Sequence, residues 1–181
     1  MAPRDHTAKL AKALWSDEAL ELKPAEFQSR FDSLYATAEG LATYWQLGGA
    51  ANDYLRRHPG AIAIPVELPL LLLASRLVDG RIIGLKLLNR CSSDLSLVCS
   101  QISTALGRKS KHELYGGLFE LSNLLDRLSL LSMTHRSELL LALSPLRSHR
   151  DTYIRDCAHL FTDWLESSDR ESLSRKAPRD P

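Results

Sequence analysis

The chain has 181 residues, 44% of them hydrophobic, and a net charge of +1. That is enough apolar material for one substantial core or two small ones, and the balanced charge argues against nucleic acid or an anionic membrane as the primary ligand. Leucine far outnumbers valine and isoleucine, which favours helix over sheet, and the predicted fold class is all-α, a compact helical bundle.

At the N-terminal end, residues 1–24 read as a partly helical segment without the apolar run of a signal peptide. Leu10, Ala13, Leu14 and Trp15 are spaced for a short helix, and Ser16-Asp17-Glu18 suggests a new start. Pro24 opens a clearer helix, with Phe27, Phe31, Leu34, Tyr35, Ala38, Leu41 and Trp45 at helical spacing over several turns. Gly48-Gly49 interrupts or ends it, and residues 50–57 make a further turn. The aromatic residues Tyr35, Tyr44 and Trp45 read as packing residues. His58-Pro59-Gly60 is a turn signal.

Pro69 heads a helix that runs through Leu77, Asp79-Gly80 marks a break, and residues 81–89 are apolar nearly all round, as in a central helix. Residues 25–88 therefore form a helical region that packs on the remainder. The longest apolar run, residues 68–74, is far shorter than the ~20 residues that span a bilayer, so no membrane is expected. Cys91, Cys99 and Cys157 are an odd number without metal-site spacing. They read as small apolar groups in or near packed faces, in a reducing intracellular compartment.

Ser92-Ser93-Asp94 caps a helix over residues 95–106 with a stripe of Leu95, Val98, Cys99, Ile102 and Leu106. Residues 107–112 are the most basic loop of the chain. Residues 113–131 follow as helix, with Gly116-Gly117 permitting close helix approach and Leu121, Leu124, Leu125, Leu128 and Leu131 on one face. Residues 137–143 are almost wholly apolar and are expected to be buried. Ser144-Pro145 reads as an N-cap and first helical position restarting a brief helix at Leu146. Asp151 is placed to cap the last helix, which carries two adjacent apolar stripes: Tyr153, Cys157, Leu160, Trp164, and Ile154, Ala158, Phe161, Leu165. A double stripe predicts a wide buried face, with Leu124, Leu128, Leu160 and Trp164 in one core. The tail, residues 167–181, is polar and is expected to be disordered.

Two phrases carry a family resemblance. Leu124-Leu125-x-x-Leu128, followed by Met133-Thr134, resembles the second helix and following turn of the N-terminal domain of elongation factor TFIIS, also called the LW domain. The run Leu146, Arg147, Ser148, His149, Asp151, Ile154, Arg155, Ala158, Leu160 and Trp164 resembles that domain's closing segment. The resemblance covers residues 89–166. The connection from Thr134 to Leu146 is shorter than the family's and lacks its Ile-Gly phrase.

What the resemblance implies is a non-catalytic protein-interaction module of nuclear transcription elongation or chromatin machinery. Such domains take short disordered acidic motifs with an apolar anchor, using cations on the groove rim. The residues it points to are Arg147, His149, Arg150 and Arg155, with Arg108, Lys109, Lys111 and His112 on the neighbouring basic loop. The sequence also admits a structural helical subunit or adaptor of an unrelated intracellular complex, nuclear or cytoplasmic, whose first-half aromatics form a permanent interface. No phosphate loop, His-Glu-x-x-His or Gly-x-Ser-x-Gly phrase is present. No cofactor, metal or catalytic residue is expected, and His159 with Asp163 reads as an exposed pair.

Overall fold

The computed structural model, which describes residues 3–174 and the side chains of residues 6–167, is built of helices joined by turns and loops; no strand occurs among the described residues. The all-α expectation holds. The chain divides into two units, Met1–Ser93 and Asp94–Pro181.

The first unit contains α1 (Pro3–Leu14), α2 (Asp17–Leu20), α3 (Pro24–Ala36), α4 (Leu41–Arg57), α5 (Glu67–Leu73) and α6 (Val78–Cys91). Residues 27–45 do not form one helix. Gly40 adopts φ +79°, a left-handed conformation, and separates α3 from α4. Conversely, Gly48-Gly49 does not end a helix but lies inside α4. The two glycines are needed for approach: a Cβ on Gly49 would come within 2.6 Å of the Trp15 ring, and one on Gly48 within 2.5 Å of Leu72. Asp79-Gly80 lies in the first turn of α6, and α5 stops at Leu73, short of Leu77. The core is built on Phe27, stacked on Tyr54 at 3.8 Å, with the Tyr54 hydroxyl donating to the Leu22 carbonyl at 2.7 Å. Tyr35, Tyr44 and Trp45 are half-buried and pack against this core.

The second unit contains α7 (Leu95–Leu106), α8 (Lys111–Leu125), α9 (Met133–Leu143) and α10 (Thr152–Ser174). Asp94 caps α7 by accepting the Leu97 N–H. The helix expected over residues 113–131 ends at Leu125 and is followed by a 3-10 turn over Leu128–Leu130. Gly117 lets α7 approach α8, because its Cβ would meet Ala105 and Leu106 at 3.1–3.4 Å. Ser132 and His135 form a reciprocal capping box at the start of α9. Residues 137–143 are not uniformly buried: Leu139 and Leu143 are, while Leu141 is 77% exposed, since α9 packs through one side only. Ser144 makes no side-chain N-cap and instead closes α9 as its C-cap; the expected brief helix is a 3-10 helix over Ser144–Ser148, with Pro145 in its first turn, continuing directly from α9. α10 extends through the start of the expected disordered tail to Ser174, and residues 175–181 lie outside the described part.

The last helix corrects the expected double stripe. Ile154, Ala158, Phe161 and Leu165 are buried, but Leu160 and Trp164 are 46% and 45% exposed, Tyr153 is 59% exposed, and Leu128 is only half-buried. The buried arc extends instead to Thr162, whose hydroxyl is satisfied by the Ala158 carbonyl at 2.7 Å. A residue advances about 100° around a helix, so adding Thr162 turns the buried arc away from Tyr153 and Trp164. The three cysteines are free; Cys99 is buried, Cys157 half-buried, and Cys91, against expectation, exposed.

Candidate functional site

Asp151 joins the two loops singled out in the sequence. Its Oδ1 accepts the N–H groups of Tyr153 at 3.1 Å and Ile154 at 3.3 Å, capping α10. Its Oδ2 lies 2.6 Å from Lys111 Nζ and accepts the Tyr115 hydroxyl at 3.2 Å. Hydrogen bonding from Lys111 first, then the backbone at Ile154, holds this carboxyl down at about 2. Asp151 in turn raises the Lys111 ammonium. Lys111 also sits 5.3 Å from the Tyr115 ring centre, and Tyr115 meets Tyr153 edge-on at 5.3 Å. Residues 108–112 and 147–151 therefore converge where α8 and α10 begin.

The expected rim residues divide into four groups. Lys111 is neutralised by Asp151, and Arg108 faces the buried Glu113 at 3.8 Å. Lys109, His112, Arg147 and Arg150 are exposed and have no ion-pair partner among the described residues. His149 Nδ1 accepts the Asp151 N–H at 3.0 Å, so a neutral ring carries its proton on Nε2, and this side chain shapes the loop. Arg155 is not brought to the same face: two residues beyond Tyr153, it lies about 200° round the helix and contacts Asp156 at 3.7 Å.

From this corner a stripe of exposed Tyr153, half-buried Cys157 and exposed Leu160 and Trp164 runs along α10. The Tyr153 phenol is raised above its ordinary range, chiefly by the Cys157 sulfur beside it. Tyr115 and Asp151 were not singled out as binding residues by sequence: Tyr115 belongs to no motif, and Asp151 reads as a cap. The exposure of Leu160 and Trp164 has no sequence signal, since both fit an apolar stripe.

One pair elsewhere in this unit has the look of catalysis. Ser96 Oγ is 2.9 Å from His135 Nε2, but His135 Nδ1 accepts the Ser132 N–H at 3.3 Å. The ring proton is thus on Nε2, donating to Ser96, which is the wrong sense for a base that activates a hydroxyl. His159 and Asp163 are both exposed. No group of three His, Cys, Asp or Glu among the described residues is placed to hold a metal ion, and no described helix is long and apolar enough to cross a membrane. In the first unit an open groove of about 560 Å³ lies between α1 and α3; it groups His6 and Glu39 but none of the candidate site residues named above.

No family model, no curated protein and no solved structure matches this chain.

Proposed function

We propose that the second unit is a non-catalytic helical interaction module that takes short disordered acidic motifs with an aromatic anchor. The observation that carries this reading is the junction of the two basic loops through Lys111, Asp151 and Tyr115, directly beside the exposed Tyr153. The anchor packs on Tyr153 and the adjoining stripe. The acidic flank meets Arg147, Arg150 and Lys109, the cations left without ion-pair partners among the described residues. The resemblance to the TFIIS N-terminal domain is the sole support for placing the module in nuclear transcription elongation or chromatin machinery.

The test is a titration of a short acidic peptide with one central Phe, followed by amide chemical shifts. Shifts centred on residues 108–112 and 147–153, weakened by salt and by the double change Arg147→Glu and Arg150→Glu, are expected. Binding that ignores the double change would overturn the assignment of the rim. A second reading, a structural subunit, is favoured by a different observation: Val66, Leu70, Leu71 and Leu77 are exposed in the first unit. Aggregation of the isolated chain that is relieved by polar changes at Leu71 and Leu77 would support it.

A further inference from the structure

The exposed stripe on α10 has two unlike edges. On one side lies α8, whose Tyr115 packs against Tyr153. On the other lie Asp156 and Asp163, seven residues apart and so on the same line of the helix surface. Arg155 contacts Asp156 at 3.7 Å but projects from further round the helix, away from the stripe. Asp163 has no ion-pair partner among the described residues. The stripe therefore starts at a cationic corner and continues beside an anionic edge.

We infer that the partner of this face is an amphipathic segment of mixed charge: acidic where it meets the loops at residues 108–112 and 147–151, apolar along α10, and basic where it lies against Asp156 and Asp163. The inference rests on the preceding reading of the loop corner and adds the chemistry of the rest of the ligand. The spacing of Tyr153, Cys157, Leu160 and Trp164, at i, i+4, i+7 and i+11, spans roughly 16 Å. That is the length over which an amphipathic helix presents three or four anchors. A uniformly acidic segment lying along it sets its own carboxylates against Asp156 and Asp163, and like charges across an interface select against that partner.

A second copy of this chain is a poor occupant for the same reason. An antiparallel two-fold pairing through the stripe brings the Asp156 and Asp163 edge of each copy against the same edge of the other. A parallel pairing brings basic corner to basic corner. Neither arrangement complements itself, so the surface calls for a different chain.

The experiment compares two synthetic peptides on the full-length protein by calorimetry. Both carry a glutamate head followed by Leu and Phe at helical spacing; in the first the flank of the apolar face is lysine, in the second it is glutamate. The lysine-flanked peptide is expected to bind about tenfold more tightly, a difference of about 1.4 kcal/mol. The double change Asp156→Lys and Asp163→Lys, at exposed positions, is expected to reverse the preference, and Leu160→Ser is expected to weaken both peptides. Equal binding of the two peptides, or a preference that the double Asp change leaves intact, would overturn the inference. If Arg147→Glu with Arg150→Glu still weakens both peptides in that case, the loop corner stands and only the mixed-charge ligand falls. If that Arg change has no effect while the lysine preference persists, the loop reading falls instead. Absence of binding by either peptide overturns both.

Discussion

Asp151 shares its carboxylate between Lys111, at 2.6 Å, and the first backbone N–H groups of α10. One side chain thereby sets the start of a helix and its position against α8. Its pKa is lowered to about 2 from the ordinary 3.8, with Lys111 as the first cause. A carboxyl depressed in the folded state contributes stability that is present above its unfolded pKa and lost as pH falls through the folded value. Stability of the second unit is therefore expected to decline between about pH 4 and pH 2. Asp151→Asn is expected to flatten that part of the profile, as read by urea midpoints across the range; an unchanged slope would show that the carboxylate is not coupled to folding.

Burial along α10 predicts two opposite outcomes from similar truncations. Leu165 is wholly buried, so Leu165→Ala is expected to cost about 2–5 kcal/mol. Trp164 is 45% exposed, so Trp164→Ala is expected to cost about 1 kcal/mol or less. Denaturant unfolding of the two variants measures both, and a Trp164 cost as large as that of Leu165 would mean that the stripe is covered.

Glycine contacts make a second pair. A Cβ on Gly84 would lie 2.8 Å from the Pro69 carbonyl oxygen and 2.9 Å from the Leu73 nitrogen. Those atoms are backbone and yield only if α5 moves, so Gly84→Ala is expected to destabilise by about 1–3 kcal/mol. At Gly107 the nearest atoms are 3.6 Å away and φ is −80°. Gly107→Ala is therefore expected to be neutral or stabilising by up to about 1 kcal/mol.

Thiol labelling separates the cysteines. Cys99 is buried and its pKa is pushed up to about 11, mainly by desolvation, so it holds little thiolate at neutral pH. Cys91 is exposed. Timed alkylation followed by mass analysis is expected to modify Cys91 first and Cys99 only on unfolding; early labelling of Cys99 would indicate local opening of α7.

The sequence by itself determined that this chain is helical, where several helices start, and which loop residues are basic. Those properties are local: leucine at 3.6-residue spacing, Asp94 and Asp151 as caps, and Pro24 at a helix start are legible one or two turns at a time. Glycine was harder to read, because the same residue type breaks the chain at Gly40 through its backbone dihedral and continues a helix at Gly49 through the space it leaves for Trp15. The tertiary structure alone decided which of two equally apolar stripes on α10 is buried. Periodicity gives the angle between the stripes but not the direction from which α8 and α9 approach, and that direction buries Phe161 and Leu165 and leaves Leu160 and Trp164 exposed. It also decided that Lys111 and Asp151, 40 residues apart in sequence, form one corner. An ion pair of that separation depends on where the two helices begin relative to one another, and no local pattern encodes it.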